Sequence, residues 1–239
     1  MRFVPMERKW PAALGLGVFL LILLLTGHAG LYLETQAPAT DGAIRRGDPS
    51  RQALALMFNV DWGEEFIDQI LDRLEGAYAK STFFVTGRWA EKNPDLLREI
   101  HARGHEVGNH GYRHAHVASL SSQEIRGLIE KNRDLLRGLL EVEPVPLFAP
   151  PYGECNVTIV KAAQEIGYKT ILWSLDTVDW RRPAASTIVE TLTRAGPGDL
   201  VLMHPTAPTL DALGPILRDL ASRGLTAVSV SDLLADKEQ

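Results

Sequence analysis

Histidines are concentrated in one short stretch of this 239-residue chain. Four of the seven lie within residues 105–116, in the sequence HEVGNHGYRHAH. His110 and His114 have the spacing H-x-x-x-H, which lets two neutral imidazoles reach one metal ion from a turn or a first helical turn. With a third hard ligand, such a site would keep coordination positions open for water and substrate. The spacing alone does not establish a metal site. His105 and His116 are interpreted as structural or supporting residues.

An acidic residue follows the first apolar run of the chain. Residues 53–58 (ALALMF) predict a buried strand, and Asp61 comes three residues later. A carboxylate at the end of a strand could supply the third metal ligand. It could equally cap a helix that begins near Gly63, and this segment leaves both possibilities open. The adjacent Trp62 is expected to pack rather than to line a pocket.

Three further segments place polar or rigid residues after a predicted strand. They are residues 148–153 (FAPPYG), 173–180 (WSLDTVDW) and 200–204 (LVLMH). Read one at a time, they are a rigid loop, a turn and a histidine at the end of a strand. Their order and spacing along the chain carry more information than any one of them.

The elements that would position these residues alternate regularly. The predicted strands are residues 53–58, 81–85, 145–148, 169–173, 200–203 and 226–230, and the predicted helices are residues 64–74, 121–140, 156–166 and 210–222. Ser121 and Glu124 have the spacing of a capping box. Such alternation predicts an α/β fold with a parallel sheet. Because candidate ligands follow many different strands, we expect a distorted, TIM-like (β/α) barrel of about seven strands.

The N-terminal segment predicts a membrane anchor. Residues 12–26 (AALGLGVFLLILLLT) carry no charge, and weaker apolar character continues to residue 33. That is close to the roughly 20 residues that span a bilayer. Basic residues precede the run, so the body of the protein is expected outside the membrane. The alternative is a cleaved signal peptide and a secreted protein. The predicted organisation is residues 1–33 as cytoplasmic stub and single-pass anchor, 34–50 as linker and 51–239 as domain.

Composition excludes some classes of protein. The net charge is −5, and since residues 1–30 carry +2, the remainder carries −7. An acidic body without basic clusters argues against a nucleic-acid partner. One cysteine, Cys155, cannot form an intrachain disulfide. A monomer is expected.

Taken together, these segments resemble the motifs of the polysaccharide deacetylases, the NodB-homology family also called carbohydrate esterase family 4. The resemblance covers about residues 53–234 and includes the phrases STFFVTG and GHEVGNH. It runs in order through NVDWG, HGYRH, PPYG, DTVDW and LMH at residues 59–63, 110–114, 150–153, 176–180 and 202–204. The first motif is most similar to the sporulation-associated branch. The family fold is a distorted (β/α) barrel, in agreement with the pattern of elements.

The resemblance implies roles for individual residues. Asp61, His110 and His114 would hold Zn²⁺ or another divalent cation such as Co²⁺, Ni²⁺ or Mn²⁺, which would activate water against an acetamide carbonyl. His204 would be the general acid, with Asp179, or alternatively Asp176, orienting its ring. The substrate, a cell-wall polysaccharide, would be bound by Pro151, Tyr152, Trp180 and Leu202, with the backbone N–H of Tyr152 facing the oxyanion.

Two positions depart from the family pattern. Asn59 stands where the family has its catalytic base, an aspartate, and Ala149 stands where the family has the arginine that holds this base. An amide cannot accept a proton from water. Asp61, assisted by Glu64, Glu65 or Glu154, would then have to supply both the ligand and the base functions in a different way.

The family resemblance implies a function: metal-dependent removal of N-acetyl groups from cell-wall amino sugars, in peptidoglycan or chitin-like glycans. The alternative is a catalytically weak or silent glycan-binding domain at the cell surface.

Overall fold

The computed structural model describes residues 42–235, which form eight strands and eight α-helices. The strands are β1 Ala53–Val60, β2 Ser81–Val85, β3 Glu106–Asn109, β4 Leu147–Phe148, β5 Lys169–Thr170, β6 Leu175–Asp176, β7 Leu200–Met203 and β8 Thr226–Val228. The helices are α1 Glu64–Glu75, α2 Gly87–Lys92, α3 Pro94–Ala102, α4 Ser122–Leu140, α5 Val157–Gln164, α6 Ala185–Leu192, α7 Ala207–Ser222 and α8 Val230–Leu234. Three 3-10 turns lie at Val117–Ser119, Pro151–Gly153 and Asp179–Arg181.

All the strand pairs are parallel, and the sheet has the order β5-β4-β3-β2-β1-β7-β6. The eighth strand, β8, pairs with the first three residues of β1. Helices connect most of the strands, as parallel pairing requires. In the described residues β5 and β6 lie at the two ends of this order and do not pair, so the barrel is incomplete. The predicted TIM-like parallel arrangement of about seven strands is confirmed in this form.

The opening between the two ends is bridged by residues from the segment that composition predicts to be a linker. Ile44 forms a parallel bridge with Ile171, and Arg46 forms an antiparallel bridge with Asp199. The Arg46 guanidinium also pairs with the buried Asp199 carboxylate. Residues 43–47 therefore belong to the folded body. The predicted anchor lies outside the described residues, and between residues 42 and 235 no helix has the length and apolar character to cross a membrane.

Two of the four apolar clusters in the described residues lie on opposite faces of β1, which contributes to both by alternation. Leu54, Leu56, Phe58 and Val60 pack against the helices, while Ala53, Ala55 and Met57 face the barrel interior with Phe84, Ala149 and Leu200. This explains why β1 is a continuous buried run. Gly108 leaves room for the ring of Phe84, because a Cβ atom at residue 108 would lie 2.5 Å from that ring. Asn59 continues the interior series and so faces the mouth of the barrel.

The predicted elements agree best with the structure where the apolar pattern is long. The capping box of Ser121 and Glu124 is present at the start of α4, and four apolar residues of α1 are buried at helical spacing. The predicted strand 169–173 is wrong beyond Thr170, and the predicted strand 226–230 ends at Val228, because Ser229 caps α8. The prediction missed β3, since Glu106-Val-Gly-Asn contains no apolar run.

Candidate active site

A cavity of about 390 Å³ opens at the carboxyl ends of the strands. In parallel α/β folds this is where side chains from different strand ends converge. Most of the residues that the sequence predicts for the site line it, together with two further tryptophans, Trp62 and Trp173. The lining comprises Asn59, Asp61, Trp62, His110, His114, Tyr152, Gly153, Trp173, Asp176, Trp180, Leu202 and His204.

Two neutral imidazoles face this cavity. His110 directly follows β3, and its Nδ1 lies 2.6 Å from the carbonyl oxygen of Ala149. Because a carbonyl only accepts, Nδ1 carries the proton and Nε2 keeps its lone pair. Burial lowers the pKa of His110 to about 3, with a further contribution from His114. Burial also lowers the pKa of His114, whose ring lies edge-on to that of His110 at 5.1 Å.

Asp61 is not a helix cap in this structure. The residue that precedes α1 is Gly63, in a left-handed conformation, and no side chain caps the helix. A Cβ at Gly63 would collide with the carbonyl oxygen of Pro205, so only glycine fits there. The Asp61 Oδ1 atom instead accepts a hydrogen bond of 2.6 Å from the Thr86 hydroxyl. The chain turns sharply after β1, and the carboxylate is left at the cavity.

A histidine–aspartate pair lies at the same cavity, with His204 in its wall and Asp179 behind it. His204 directly follows β7, and its Nδ1 lies 2.7 Å from Oδ1 of Asp179, which is fully buried. The backbone N–H of His204 donates to Oδ2 of the same carboxylate at 2.7 Å. Asp179, not Asp176, is therefore the partner of His204. Asp176 accepts from the Val178 N–H and lines the cavity. Because Nδ1 of His204 is hydrogen-bonded to Asp179, Nε2 is the ring nitrogen that can contact a bound molecule.

Aromatic residues surround these polar groups. Trp62, expected to pack, is 38% exposed and lies parallel to the His204 ring, with centroids 6.0 Å apart. Tyr152 adopts a left-handed conformation (φ 60°), a strained geometry for a residue with a side chain. Its ring lies edge-on to His114 at 4.3 Å and stacks on His116 at 4.1 Å. His116 in turn bonds to Glu154 at 2.6 Å. His116 thus supports Tyr152, in line with its predicted secondary role.

Asn59, which the family resemblance places at the position of the base, lines the cavity as a buried residue. Asn59 is 6% exposed, and its Oδ1 atom is buried with no hydrogen-bond partner among the described residues. An unpaired buried amide oxygen costs free energy unless a bound molecule satisfies it. Ala149 is 2% exposed and packs in the barrel interior, where an arginine would lack a carboxylate partner. The residues Asn59 and Ala149 are therefore compatible with each other.

The donors at the cavity fit a divalent metal ion in chemical type. Two imidazoles and one carboxylate are a ligand set that zinc accepts while keeping open positions. Within residues 42–235, however, no three His, Cys, Asp or Glu side chains form a group that could hold a metal ion. The metal site of Asp61, His110 and His114 therefore stays a prediction.

Some predicted residues lie outside the cavity wall. Pro151 is buried in the turn that carries Tyr152, and Asp179 lies behind His204. Of the proposed substitute bases, Glu64 and Glu65 are exposed at the start of α1. The Glu154 carboxylate is hydrogen-bonded to the His116 ring and to the backbone N–H of Ala118. None of these three lines the cavity in the described part of the chain.

Three residues that the structure places at or behind the site were not predicted from the sequence. Trp173 lines the cavity, Thr86 holds Asp61, and Thr209 bonds to Asp179. Trp173 and Thr86 could have been found from their positions beside predicted strand ends. Thr209 has only the local signal of a Thr-x-x-Thr helix start, at residues 206–209. That signal predicts a cap and gives no hint of Asp179.

The chain is similar in sequence to a family model and to curated bacterial proteins. A family model for polysaccharide deacetylases matches residues 46–171, more than half of the chain. The uncharacterized protein YlxY of Bacillus subtilis is 32% identical over 205 residues, which are 85% of this chain and 63% of YlxY. The chain thus spans less than two thirds of that relative. A peptidoglycan-N-acetylglucosamine deacetylase of Bacillus cereus is 33% identical over 214 residues, or 87% of this chain and 76% of the relative.

Similar solved structures include a pseudoenzyme. The crystal structure of wild-type BA3943 from Bacillus anthracis, a CE4 family pseudoenzyme, matches with a TM-score of 0.79 and 36% identity, covering 82% of this chain and 70% of that one. A BA3943 mutant with restored enzymatic activity matches with a TM-score of 0.79 and 34% identity, covering 82% and 72%.

Proposed function

Because the chain belongs to the polysaccharide deacetylase family, we propose that its domain hydrolyses N-acetyl groups of amino sugars in cell-wall glycan. The observation that carries the proposal is the His204–Asp179 pair, whose imidazole faces the same cavity as two neutral histidines. A domain that only bound glycan would have no need of a proton donor held by a buried carboxylate. Peptidoglycan is the first substrate class to test, since a relative with 33% identity is a peptidoglycan-N-acetylglucosamine deacetylase.

In this proposal His204 gives a proton from Nε2 to the departing sugar amine, while Asp179 keeps the ring in the required orientation. The aromatic side chains of Trp62, Tyr152 and Trp180 form apolar walls for the sugar rings, and Leu202 contacts the acetyl methyl group. The three aromatic side chains are exposed at the rim of the cavity, as expected for residues that bind a polymer along the protein surface.

We further propose that Asp61, His110 and His114 hold a divalent cation, with Zn²⁺ as the first candidate. A bound cation would supply Lewis-acid polarisation of the acetamide carbonyl. Neutral His110, with Nδ1 donating to Ala149, presents the nitrogen lone pair that such an ion requires. Thr86 occupies one oxygen of Asp61 and leaves the other for the ion.

Hydrolysis by this site is slow in our proposal, since no carboxylate stands at residue 59. General-base assistance contributes about 10² to 10⁴ in rate. The carboxylates that line the cavity are those of Asp61 and Asp176, and the first is assigned to the cation. The site would then retain a general acid, His204, and lack an effective general base.

A second candidate function is glycan binding without turnover. It is favoured by the buried, unpartnered Oδ1 of Asn59 and by the apolar Ala149 in place of an arginine. The similarity to a CE4 family pseudoenzyme, with 36% identity, supports the same candidate. In either case the domain is proposed to lie outside the membrane, anchored by residues 1–33, where it meets cell-wall glycan.

The deciding experiment removes the proposed acid. Full-length chain loaded with Zn²⁺ is incubated with N-acetylated peptidoglycan and with chitin oligomers, and released acetate is measured. We expect His204→Ala to reduce acetate release about 10² to 10⁴-fold. Asp179→Asn should have a smaller effect, because it orients the ring without transferring the proton. His101→Ala is the matched control, since His101 is exposed on α3. No acetate from the wild type, with glycan binding that His204→Ala leaves unchanged, would establish the binding candidate instead.

A further inference from the structure

Two buried threonines of the loop and helix that follow β7 are connected to the His204–Asp179 pair. The Thr209 hydroxyl lies 2.6 Å from Oδ2 of Asp179. It also lies 2.7 Å from the hydroxyl of Thr206, which caps α7 by accepting from the Thr209 N–H at 3.1 Å. Asp179 and Thr209 are 0% exposed and Thr206 is 1% exposed. Water therefore cannot replace these contacts.

The direction of each hydrogen bond follows from the chemistry of the groups. A carboxylate only accepts, so the Thr209 hydroxyl must donate its single proton to Asp179. Having used that proton, Thr209 can only accept from Thr206, and the Thr206 hydroxyl must be the donor between the two. The chain of donors runs from Thr206 through Thr209 to Oδ2, with His204 Nδ1 on Oδ1 at the far side.

Among residues 42–235, three donors contact the Asp179 carboxylate: the N–H and Nδ1–H of His204, and the Thr209 hydroxyl. Two come from the residue that Asp179 must orient, and only Thr209 is independent of it. Donors to a buried carboxylate contribute more than neutral hydrogen bonds, and each restrains rotation of the group. Thr209 therefore keeps Oδ1 directed at the imidazole while Oδ2 is held in place.

We propose that Thr209, oriented by Thr206, is a positioning residue for the His204–Asp179 pair. The start of α7 would then have two tasks, since the same hydroxyls cap the helix and set the orientation of the proposed acid. The effect on rate rests on the proposed hydrolase function. The effect on the geometry of the pair does not, and it can be measured in the absence of turnover.

The test follows the proton between His204 Nδ1 and Asp179 in full-length chain labelled with ¹⁵N-histidine. The chain has seven histidines, and the His204 signal is assigned by its loss in His204→Ala. In Thr209→Val, which keeps the side-chain shape but removes the donor, we expect this proton to exchange with solvent about tenfold faster. Loss of a hydrogen bond to a charged group makes local opening more frequent by about that factor. Thr209→Ser restores the donor and should return the exchange rate to within about twofold.

Controls separate this effect from loss of a buried hydroxyl in general. Thr170 is also buried, and its hydroxyl has no partner in the described residues, so Thr170→Val should leave the His204 signal unchanged. Equal exchange in the wild type and Thr209→Val would overturn the proposal. If Thr209→Val does not fold, the exchange rate of the Thr209 hydroxyl proton in the wild-type protein still tests the proposal. A Thr209 hydroxyl proton that exchanges as fast as that of an exposed hydroxyl would also overturn it.

An activity measurement on the same variants completes the test. If the domain is a deacetylase, Thr209→Val should lower kcat about tenfold with little change in KM, and Thr209→Ser should recover it. A complete absence of acetate release in every variant would refute the hydrolase function only. The exchange rates would then still decide whether Thr209 positions Asp179.

Discussion

Asn59→Asp is the substitution that tests most directly whether residue 59 is buried without compensation and occupies the position of the base. The two side chains have nearly the same shape, so the change replaces a buried amide by a carboxylate with little change in packing. The structure offers the new group little compensation. Asn59 is 6% exposed, its Oδ1 has no partner in the described residues, and Ala149 provides no positive charge.

The expected cost can be estimated from burial. A carboxylate without a partner in such a position has its pKa raised, because burial disfavours the charged form. If the pKa of the new group rises from about 3.9 to about 6.5, the variant loses about 3.5 kcal/mol of unfolding free energy at pH 8. At pH 5 the folded group is protonated, and the loss falls to about 1.5 kcal/mol. Because the pKa of the carboxyl group is higher in the folded state, the loss of unfolding free energy is absent at a pH below the pKa of the unfolded state. It is complete at a pH above the pKa of the folded state.

Urea unfolding at pH 5 and pH 8, with a chelator to exclude divalent cations, measures this difference. Asn59→Leu is the matched control, because it changes the same position without adding a titratable group. Its effect on stability should therefore be independent of pH. A destabilisation by Asn59→Asp that is equal at the two pH values would refute the claim that residue 59 is buried without compensation.

The same variant should gain activity as it loses stability. A carboxylate whose pKa is close to neutral is a good general base, and we expect acetate release with Zn²⁺ to rise at least tenfold over the wild type. The gain remains below the full contribution of a base, because Ala149 leaves the new charge without a tether. Unchanged acetate release would show that residue 59 does not occupy the base position.

Three other predictions address the metal, the barrel and the membrane. His110→Ala should weaken Zn²⁺ binding at least tenfold by titration calorimetry, while His101→Ala should not; equal affinities would remove the proposed metal site. Burial lowers the pKa of His105 to about 4, so acidification from pH 6.5 to 4 should destabilise the wild type more than His105→Gln, and parallel stability profiles would contradict this. Full-length chain should sediment with membranes, and protease added to intact protoplasts should digest the domain, whereas full protection would place it inside.

The sequence by itself determined the class of fold and most members of the site. Long strands and helices such as β1 and α4 were predictable, because their periodicity is a local property of the chain. The site residues were predictable as a set because each follows a strand and their order resembles the family motifs. The same resemblance marks Asn59 and Ala149 as departures from the family pattern, which stays a prediction. The local pattern missed β3 and β6 and extended β5 three residues too far, because these strands have two to four residues and are held by their neighbours in the sheet.

Only the tertiary structure decided which side chains meet. It assigned Asp179 rather than Asp176 to His204, and it made Asp61 a cavity residue bonded to Thr86 rather than a helix cap. It also connected Thr209 to Asp179, thirty positions apart in sequence. These choices depend on how strand ends and loops are placed beside each other, and differences of a few ångströms decide them. Hydrophobic periodicity records which face of an element is buried, but it carries no information about the hydrogen-bond partner across the barrel mouth.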